Sequence, residues 1–159
     1  MNAIWKKPPW LRTVPARRSA ALRSLDPPVH STRMLQTLLI GVLGLVGTLA
    51  RYGLQGFVQR ASHGTFPYGT LAVNVLGCFA VGFIATWTLE RTGASPLWRS
   101  ALMVGFCGGF TTFSALAYET FELARAGDVG RGALNLTLHA VLGLIAVWGG
   151  HAAAMRIAS

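Results

Sequence analysis

Four long apolar segments alternate with short polar stretches along this chain. At about 1.5 Å per residue, each segment is long enough to cross the hydrocarbon core of a bilayer as a helix. The predicted helices run from about Leu35 to Tyr52 (or one turn further), Gly69 to Leu89, Leu97 to Leu123 and Arg131 to Met155, and the polar connections are 53–68, 90–96 and 124–130. The pattern predicts an all-α membrane protein with four transmembrane helices.

The third apolar segment contains a stretch that is unusual for a membrane helix. Three of the residues 105–109 are glycines, each of which weakens a helix by about 1 kcal/mol relative to alanine. The hydroxyl residues Thr111, Thr112 and Ser114 follow, and hydroxyls can bond to freed backbone groups. We expect the third helix to break at residues 105–109 and to present carbonyls to cations and amides to anions. The alternative is a glycine-rich kink used for close helix packing.

Polar side chains also lie inside the other apolar segments. Asn74 either joins two helices by hydrogen bonds or offers its NH₂ group to a passing anion. Asn135 and His139 are four residues apart and therefore share one face of the fourth helix, which indicates a stripe facing protein or water. Arg51 either extends to the membrane interface or anchors polar groups at a water-filled entrance. Glu119, late in the third segment, is in a position to face a vestibule.

Composition agrees with a membrane domain and excludes a nucleic-acid binder. Hydrophobic residues make up 52% of the 159 residues and charged residues only 12%, against about a quarter in soluble domains. The formal charge is +9, but residues 1–33 hold seven of the fourteen Lys and Arg and only one acid. Cys78 and Cys107 both lie in apolar segments, so we interpret them as packing residues rather than as a disulfide or metal ligands.

The basic N-terminal stretch, residues 1–33, is predicted to be separate from the membrane domain at 34–159. It holds five of the seven prolines and no sustained apolar periodicity, which is typical of a disordered or peripheral segment. Either it is a cytoplasmic tail that touches anionic lipid, or the natural start is Met34, immediately before the first membrane segment. We favour Met34, because the sequence pattern of the tail shows no relation to the helix that follows it.

The arginines give no preferred orientation in the membrane. Counted from Met34, each side of a four-helix protein carries three arginines, so the positive-inside rule does not decide between the two orientations. The two sets are Arg91, Arg99 and Arg156 against Arg60, Arg125 and Arg131. A protein balanced in this way can insert in both orientations and pair as an antiparallel dimer.

Three motifs, in order and at their spacing, resemble the fluoride channels of the Fluc or CrcB family. They are Gly47–Tyr52 (GTLARY), Gly69–Asn74 (GTLAVN) with Gly77, and Gly105–Ser114 (GFCGGFTTFS). The resemblance covers about Leu35 to Ala154. It implies an antiparallel, dual-topology homodimer with two narrow pores in the cell (inner or plasma) membrane. It also implies passive, selective export of fluoride, which lowers fluoride toxicity, and no enzymatic activity.

The resemblance also implies a set of site residues. One structural Na⁺ on the dimer axis would be held by the backbone carbonyls of Gly108 and Thr111. Arg51 would be structural. The fluoride pore would use Asn74, Thr112, Phe113, Ser114, Glu119, Asn135 and His139.

Two positions depart from the family pattern. Leu116 stands where the family usually has a second pore phenylalanine, so part of the aromatic contact to fluoride is in doubt. His139 stands where the fourth helix usually has Ser or Asn. A histidine there can donate a hydrogen bond, and if protonated it would attract the anion and make transport depend on pH.

Two other functions are open to a small membrane protein of this kind. A four-helix, dual-topology multidrug exporter needs a carboxylate in its first helix, and Leu35–Tyr52 contains none. A non-transporting subunit of a membrane assembly would tolerate Asn74→Leu and Phe113→Ala without any ion phenotype. An enzyme is not expected, since the sequence has no recognisable nucleophile–base pair or metal cluster.

Overall fold

A computed structural model describes residues 29–90 and 95–158 of the chain. The chain divides into two units, Met1–Thr32 and Arg33–Ser159, and of the first only the start of a helix is described. The predictions for the tail as far as residue 28 and for Arg91 lie outside the described residues.

All the regular structure of the described residues is helical, as the hydropathy pattern predicted. The elements are α1 (Val29–Ser62), α2 (Tyr68–Glu90), α3 (Pro96–Ser100), a π-helical segment (Ala101–Cys107), α4 (Gly108–Phe110), α5 (Phe113–Arg125) and α6 (Val129–Ala158). Four stretches are long and apolar enough to cross a membrane: Thr32–Ser62, Tyr68–Leu89, Pro96–Arg125 and Val129–Ile157. The prediction of four spans is confirmed, and the chain is a multi-pass membrane protein.

The first helix is longer than the sequence pattern predicted. Helix α1 continues to Ser62, so most of the polar connection expected at residues 53–68 is helical. The reason is that Gln55 and Gln59, one turn apart, find hydrogen-bond partners within the protein. The Gln55 amide donates to Thr70 Oγ1 at 3.0 Å, and the Gln59 amide donates to the Gly64 and Phe66 carbonyls, each at 3.0 Å.

The third span breaks at Thr111–Thr112, and not at residues 105–109 as predicted. The glycines stay helical, in the π-helical segment and in α4, whereas Thr111 and Thr112 are both extended, with ψ of 161° and 110°. The expectation of a broken third helix is confirmed, but its placement on the glycines was wrong.

These glycines instead allow close contact between α1 and the third span. A Cβ on Gly105 would lie 2.7 Å from the Ile40 carbonyl oxygen, and a Cβ on Gly109 would overlap the Gly44 carbonyl. From the other side, a Cβ on Gly47 would overlap the Phe106 carbonyl and lie 2.9 Å from the Phe110 nitrogen. Small residues let helix backbones approach each other in membranes, which is the packing alternative that the sequence left open.

Helices α2 and α6 pack equally closely. A Cβ on Gly82 would overlap the Val147 carbonyl, and a Cβ on Gly150 would overlap the Phe79 carbonyl. Thr86 of α2 and His151 of α6 also form a hydrogen bond at 2.8 Å. Since α5 packs on α6 as well, one face of α6 carries two neighbours and positions its polar stripe against them.

We predict that Gly47→Ala destabilises the protein by about 1–3 kcal/mol, the usual effect of forcing a methyl group into a packed core. Thermal unfolding of the purified protein in detergent measures this. The control is Gly53→Ala in the same helix, where a Cβ meets nothing within 4 Å. Alanine there should be neutral or stabilise by up to about 1 kcal/mol through helix propensity. Equal unfolding temperatures for the two variants would contradict the packing described.

Candidate functional site

The helix break is held by one side chain, the Asn74 amide of α2. Asn74 Oδ1 accepts the Thr112 N–H at 2.8 Å, and Asn74 Nδ2 donates to the Thr112 carbonyl at 3.0 Å. The amide therefore pairs with both backbone groups of Thr112, as a neighbouring strand would. In a bilayer each unpaired backbone group costs several kcal/mol, so this pairing makes an extended residue tolerable there.

At the break, two carbonyls lose the N–H donors that they would have in a continuous helix. The Gly108 carbonyl would accept from the Thr112 N–H, which bonds to Asn74 instead. The Thr111 carbonyl would accept from the Ala115 N–H, which bonds to Thr112 Oγ1 at 3.2 Å as the N-cap of α5. These are the two carbonyls that the sequence resemblance assigned to Na⁺.

Arg51 supports the break from α1. Its Nε donates to the Gly109 carbonyl at 3.1 Å, and Thr48 Oγ1 approaches the same oxygen at 3.5 Å. In a continuous helix the Gly109 carbonyl would accept from the Phe113 N–H, so Arg51 satisfies an acceptor at the broken turn. A partly buried guanidinium bonded to backbone fits a structural residue better than one that only extends to the membrane interface.

A groove of about 300 Å³ runs along the break. It brings together four of the residues that the sequence assigned to the pore, Asn74, Thr112, Phe113 and His139, which lie on three different helices. Its remaining lining is Cys78, Val81, Thr111, Leu116 and Val147. The groove thus combines amide, hydroxyl and imidazole groups with apolar walls.

The aromatic wall of the groove is incomplete in the single chain. Phe113, the first residue of α5, is 78% exposed although it lines the groove. Leu116, one turn later, is buried and offers an aliphatic surface where a ring was expected. Ser114 is exposed and does not line the groove, but its Oγ lies 3.2 Å from Thr112 Oγ1 and so extends the polar edge of the break.

The stripe on α6 is buried, and only part of it reaches the groove. His139 lines the groove, and its Nδ1 lies 2.9 Å from the Asn135 carbonyl. Asn135 is fully buried and donates from Nδ2 to Thr120 Oγ1 at 3.0 Å, away from the groove. Asn135 Oδ1 and His139 Nε2 have no hydrogen-bond partner among the residues that the structure describes.

Glu119 belongs to a second groove, of about 490 Å³, near the end of α1. Its Oε1 accepts a short hydrogen bond from Thr70 Oγ1, which in turn accepts from Gln55. This groove is also lined by Tyr52, Gln55, Gly56, Gln59, Thr65 and Pro67. The structure therefore places Glu119 apart from the lining of the Asn74 groove, although α5 contributes residues to both grooves.

Sequence reasoning missed Thr70 and Gln55 as site residues. The signal was present, because Thr70 lies one turn before Asn74 on α2, and Gln55 and Gln59 lie one turn apart on α1. Among residues 29–90 and 95–158, no group of three His, Cys, Asp or Glu side chains is placed to hold a metal ion.

We predict that Asn74→Leu destabilises the protein by about 1–3 kcal/mol for each backbone group of Thr112 that it leaves buried and unpaired. Asn74→Asp should not be milder, because its ionised carboxylate can accept the Thr112 N–H but cannot donate to the Thr112 carbonyl, and it places a charge inside the membrane. Unfolding temperatures of the two variants in detergent check this order. A stable Asn74→Leu variant would mean that Asn74 does not hold the break.

Comparison with known proteins gives one consistent family. The model of the CrcB-like, camphor resistance (CrcB) family matches residues 38–151. A protein of Geobacter sulfurreducens named fluoride-specific ion channel FluC is 44% identical over 124 residues, which cover 78% of this chain and 100% of the relative. The Geotalea daltonii protein of the same name is 41% identical over the same coverage, and that of Desulforapulum autotrophicum is 47% identical over 111 residues, or 70% and 89% of the two chains. This chain belongs to the CrcB family.

Proposed function

We propose that this protein is a passive, fluoride-selective channel that lets fluoride leave the cytoplasm and so lowers its toxicity. The observation that carries the proposal is the groove at the helix break, where Asn74, Thr112 and Phe113 converge. Relatives that are matched over nearly their whole length are named fluoride-specific ion channels. Fluoride that enters as the neutral acid dissociates inside, and the membrane potential then drives the anion out at about 2.3 kcal/mol per 100 mV.

The groove has the chemistry that a small, strongly hydrated anion requires. Such an ion gives up water only if the pore replaces it with hydrogen-bond donors and polarised ring edges. The Asn74 amide donates one N–H to the Thr112 carbonyl, and its second N–H remains for the ion. The Thr112 hydroxyl adds a further polar group to the groove, and the Ser114 hydroxyl lies 3.2 Å from it at the edge of the break. Among the residues that the structure describes, no Lys or Arg lines the groove, which favours release of the ion as much as its entry.

Leu116 reduces the number of aromatic rings that could contact fluoride in the groove. Its buried side chain fills the wall of the groove but carries no positive ring edge. Phe113 would therefore supply most of the ring contact in each pore, and Leu116→Phe should increase fluoride affinity if the family's second ring is simply missing here.

A second copy of the chain would complete the groove. Phe113 is 78% exposed, which is unusual for a residue meant to touch an ion in a dry pore. Helix α1 also leaves an apolar stripe exposed along three turns. Its members are Leu38, Val42, Leu45 and Leu49. An antiparallel, dual-topology homodimer would bring the missing wall to Phe113 and cover part of this surface, in keeping with the balanced arginines.

The same dimer would hold Na⁺ at the broken helices. The carbonyls of Gly108 and Thr111 fit this role because the amides that would bond to them in a continuous helix bond elsewhere. Carbonyl oxygens are ligands suited to hard cations, and two per chain would give four in a dimer. The ion would neutralise the negative ends of the helix segments that stop at the break.

Glu119 would stand at one end of the pathway. Its groove is lined by Gln55, Gln59 and Thr65, and so presents amides and hydroxyls between the aqueous side and the break. Asn135, by contrast, is proposed to position α5 against α6 through Thr120 rather than to touch the ion.

We predict that the full chain in liposomes releases fluoride much faster than chloride under a potassium diffusion potential. Phe113→Ala should slow fluoride release about two- to tenfold, since ring contacts of this kind are worth about 0.5–1.5 kcal/mol. The control is Phe121→Ala on the same helix, which removes a similarly exposed ring outside the groove lining. Equal rates for both variants, or release of both anions alike, would contradict the proposal.

We also predict that Na⁺ stabilises the folded protein, because a bound ion adds about 2.7 kcal/mol at one hundred times its dissociation constant. The unfolding temperature in detergent should rise with NaCl and not with choline chloride at equal ionic strength. In Asn74→Leu, which removes the partner that holds Thr112 in its extended conformation, the Na⁺-dependent part should disappear. An unfolding temperature that responds to both salts alike would argue against the site.

A further inference from the structure

A third groove, of about 590 Å³, lies where the third span begins, well before the break in that span. Two residues at the end of α2, Thr88 and Leu89, form one side of its lining. The third span contributes Arg99, Ser100, Met103 and Val104. None of these residues lines the Asn74 groove or the Glu119 groove, so the proposed fluoride pathway gives this Arg99 groove no role.

The Arg99 groove changes from polar to apolar with depth in the membrane. Arg99 and Ser100 stand near the start of the span that begins at Pro96, and Met103 and Val104 follow about one turn deeper on the same face. Exposed tryptophans precede both sides of the lining, Trp87 before Thr88 and Trp98 before Arg99. Tryptophan is enriched at membrane–water interfaces, so the polar end of the groove lies at the level of the lipid headgroups.

The polar end of the groove carries an uncompensated positive charge. The ion pairs among the described residues are Glu122–Arg125 and Asp128–Arg131, and neither involves Arg99. Arg99 is exposed, Ser100 is half-buried, and neither side chain bonds to a described residue. A guanidinium matches the geometry of a phosphate with two parallel hydrogen bonds, and a serine hydroxyl can add a third.

The apolar end of the groove is uncovered. Leu89 is 61% exposed and Val104 is 62% exposed, although both belong to membrane spans. Thr88 is buried between them and α2, and its hydroxyl donates to the Ile84 carbonyl at 2.7 Å, so it adds no free donor to this end. The walls below Arg99 therefore suit a hydrocarbon chain.

We propose that the Arg99 groove binds one anionic phospholipid, whose phosphate contacts Arg99 and Ser100 and whose acyl chain lies against Leu89, Met103 and Val104. The inference goes beyond the proposed function and requires only that the chain spans a membrane. A basic side chain at the headgroup level attracts anionic lipid, which supplies the charge that complements Arg99.

Other occupants fit the groove less well. A free phosphate would use the polar end and leave the apolar walls uncovered. A second copy of the chain would have to bring an acid to Arg99, but the exposed acids Glu122 and Asp128 already pair with arginines of their own helices. A phospholipid meets both ends of the groove at once.

A lipid in this groove would touch the end of α2 and the start of the third span together. These two ends are joined by a short connection, and the lipid would link them on the membrane side as well. Because such a lipid binds the folded chain and not the unfolded one, it would stabilise the fold.

The test is native mass spectrometry of the purified, delipidated full chain in detergent, titrated with dioleoylphosphatidylglycerol. A separate titration with dioleoylphosphatidylcholine gives the reference, since this lipid has the same acyl chains and no net charge. For the first lipid bound, we expect a dissociation constant about fivefold lower for phosphatidylglycerol, the effect of one arginine at an anionic headgroup. Inorganic phosphate in excess should not displace it.

Variants assign the preference to this groove. Arg99→Gln should abolish it, and Arg99→Lys should retain a smaller preference, because lysine keeps the charge and loses the paired hydrogen bonds. The matched control is Arg60→Gln, which removes an exposed arginine in the last turn of α1, outside this lining. Val104→Trp, at an exposed position, should weaken the binding of both lipids by filling the apolar end. Unfolding temperatures without lipid check that each variant is folded.

Several results would overturn the inference. Equal affinity for the two lipids in the wild type, or a preference that survives Arg99→Gln, would remove Arg99 as the headgroup contact. Displacement by inorganic phosphate would show a site for a free anion, and lipid bound to monomers but not to dimers would show that a second copy covers the groove. A preference that appears only after Glu90→Gln would show that this acid, and not a lipid, neutralises Arg99.

Discussion

The pairing of Asn74 with both backbone groups of Thr112 is the interaction on which the rest of this structure depends. An extended residue inside a membrane helix exposes a donor and an acceptor that lipid cannot satisfy. One amide satisfies both, at 2.8 and 3.0 Å. With that partner in place, the third span can turn out of its helix, and Thr111, Thr112 and Phe113 line a common groove.

The glycines make this pairing geometrically possible. Gly47 and Gly109 let α1 approach the third span until Arg51 reaches the Gly109 carbonyl, and Gly82 lets α2 approach α6. Asn74 and His139 face the same groove because both helix pairs are close. The close helix contacts and the broken helical hydrogen bonds therefore depend on each other. Glycine lets the backbones of neighbouring helices approach, and the backbone groups freed at the break then bond to side chains of those helices.

Much of the fold could be predicted from the sequence, and the errors have identifiable causes. The hydropathy pattern predicted the four spans correctly, because the bilayer fixes the length and the polarity of a membrane helix. The predicted end of α1 was too early because the polar character of residues 53–68 indicated a connection, whereas Gln55 and Gln59 bond to other residues of the protein. The break was placed on glycine because helix propensity is local, whereas Thr111 and Thr112 leave the helix through the distant Asn74. Similarly, their spacing placed Asn135 and His139 on one face of α6. Only the packed structure shows that Asn135 bonds to Thr120 whereas His139 lines the groove.

The proposed channel function requires that this break form a path that admits fluoride and rejects other ions. The reversal potential of the purified full chain in a planar bilayer tests it most directly, with a fluoride gradient and then a chloride gradient of equal size, at constant Na⁺. We expect the voltage of zero current to follow the fluoride gradient and to stay near zero under chloride. A reversal potential that follows the chloride gradient or a Na⁺ gradient would contradict the account.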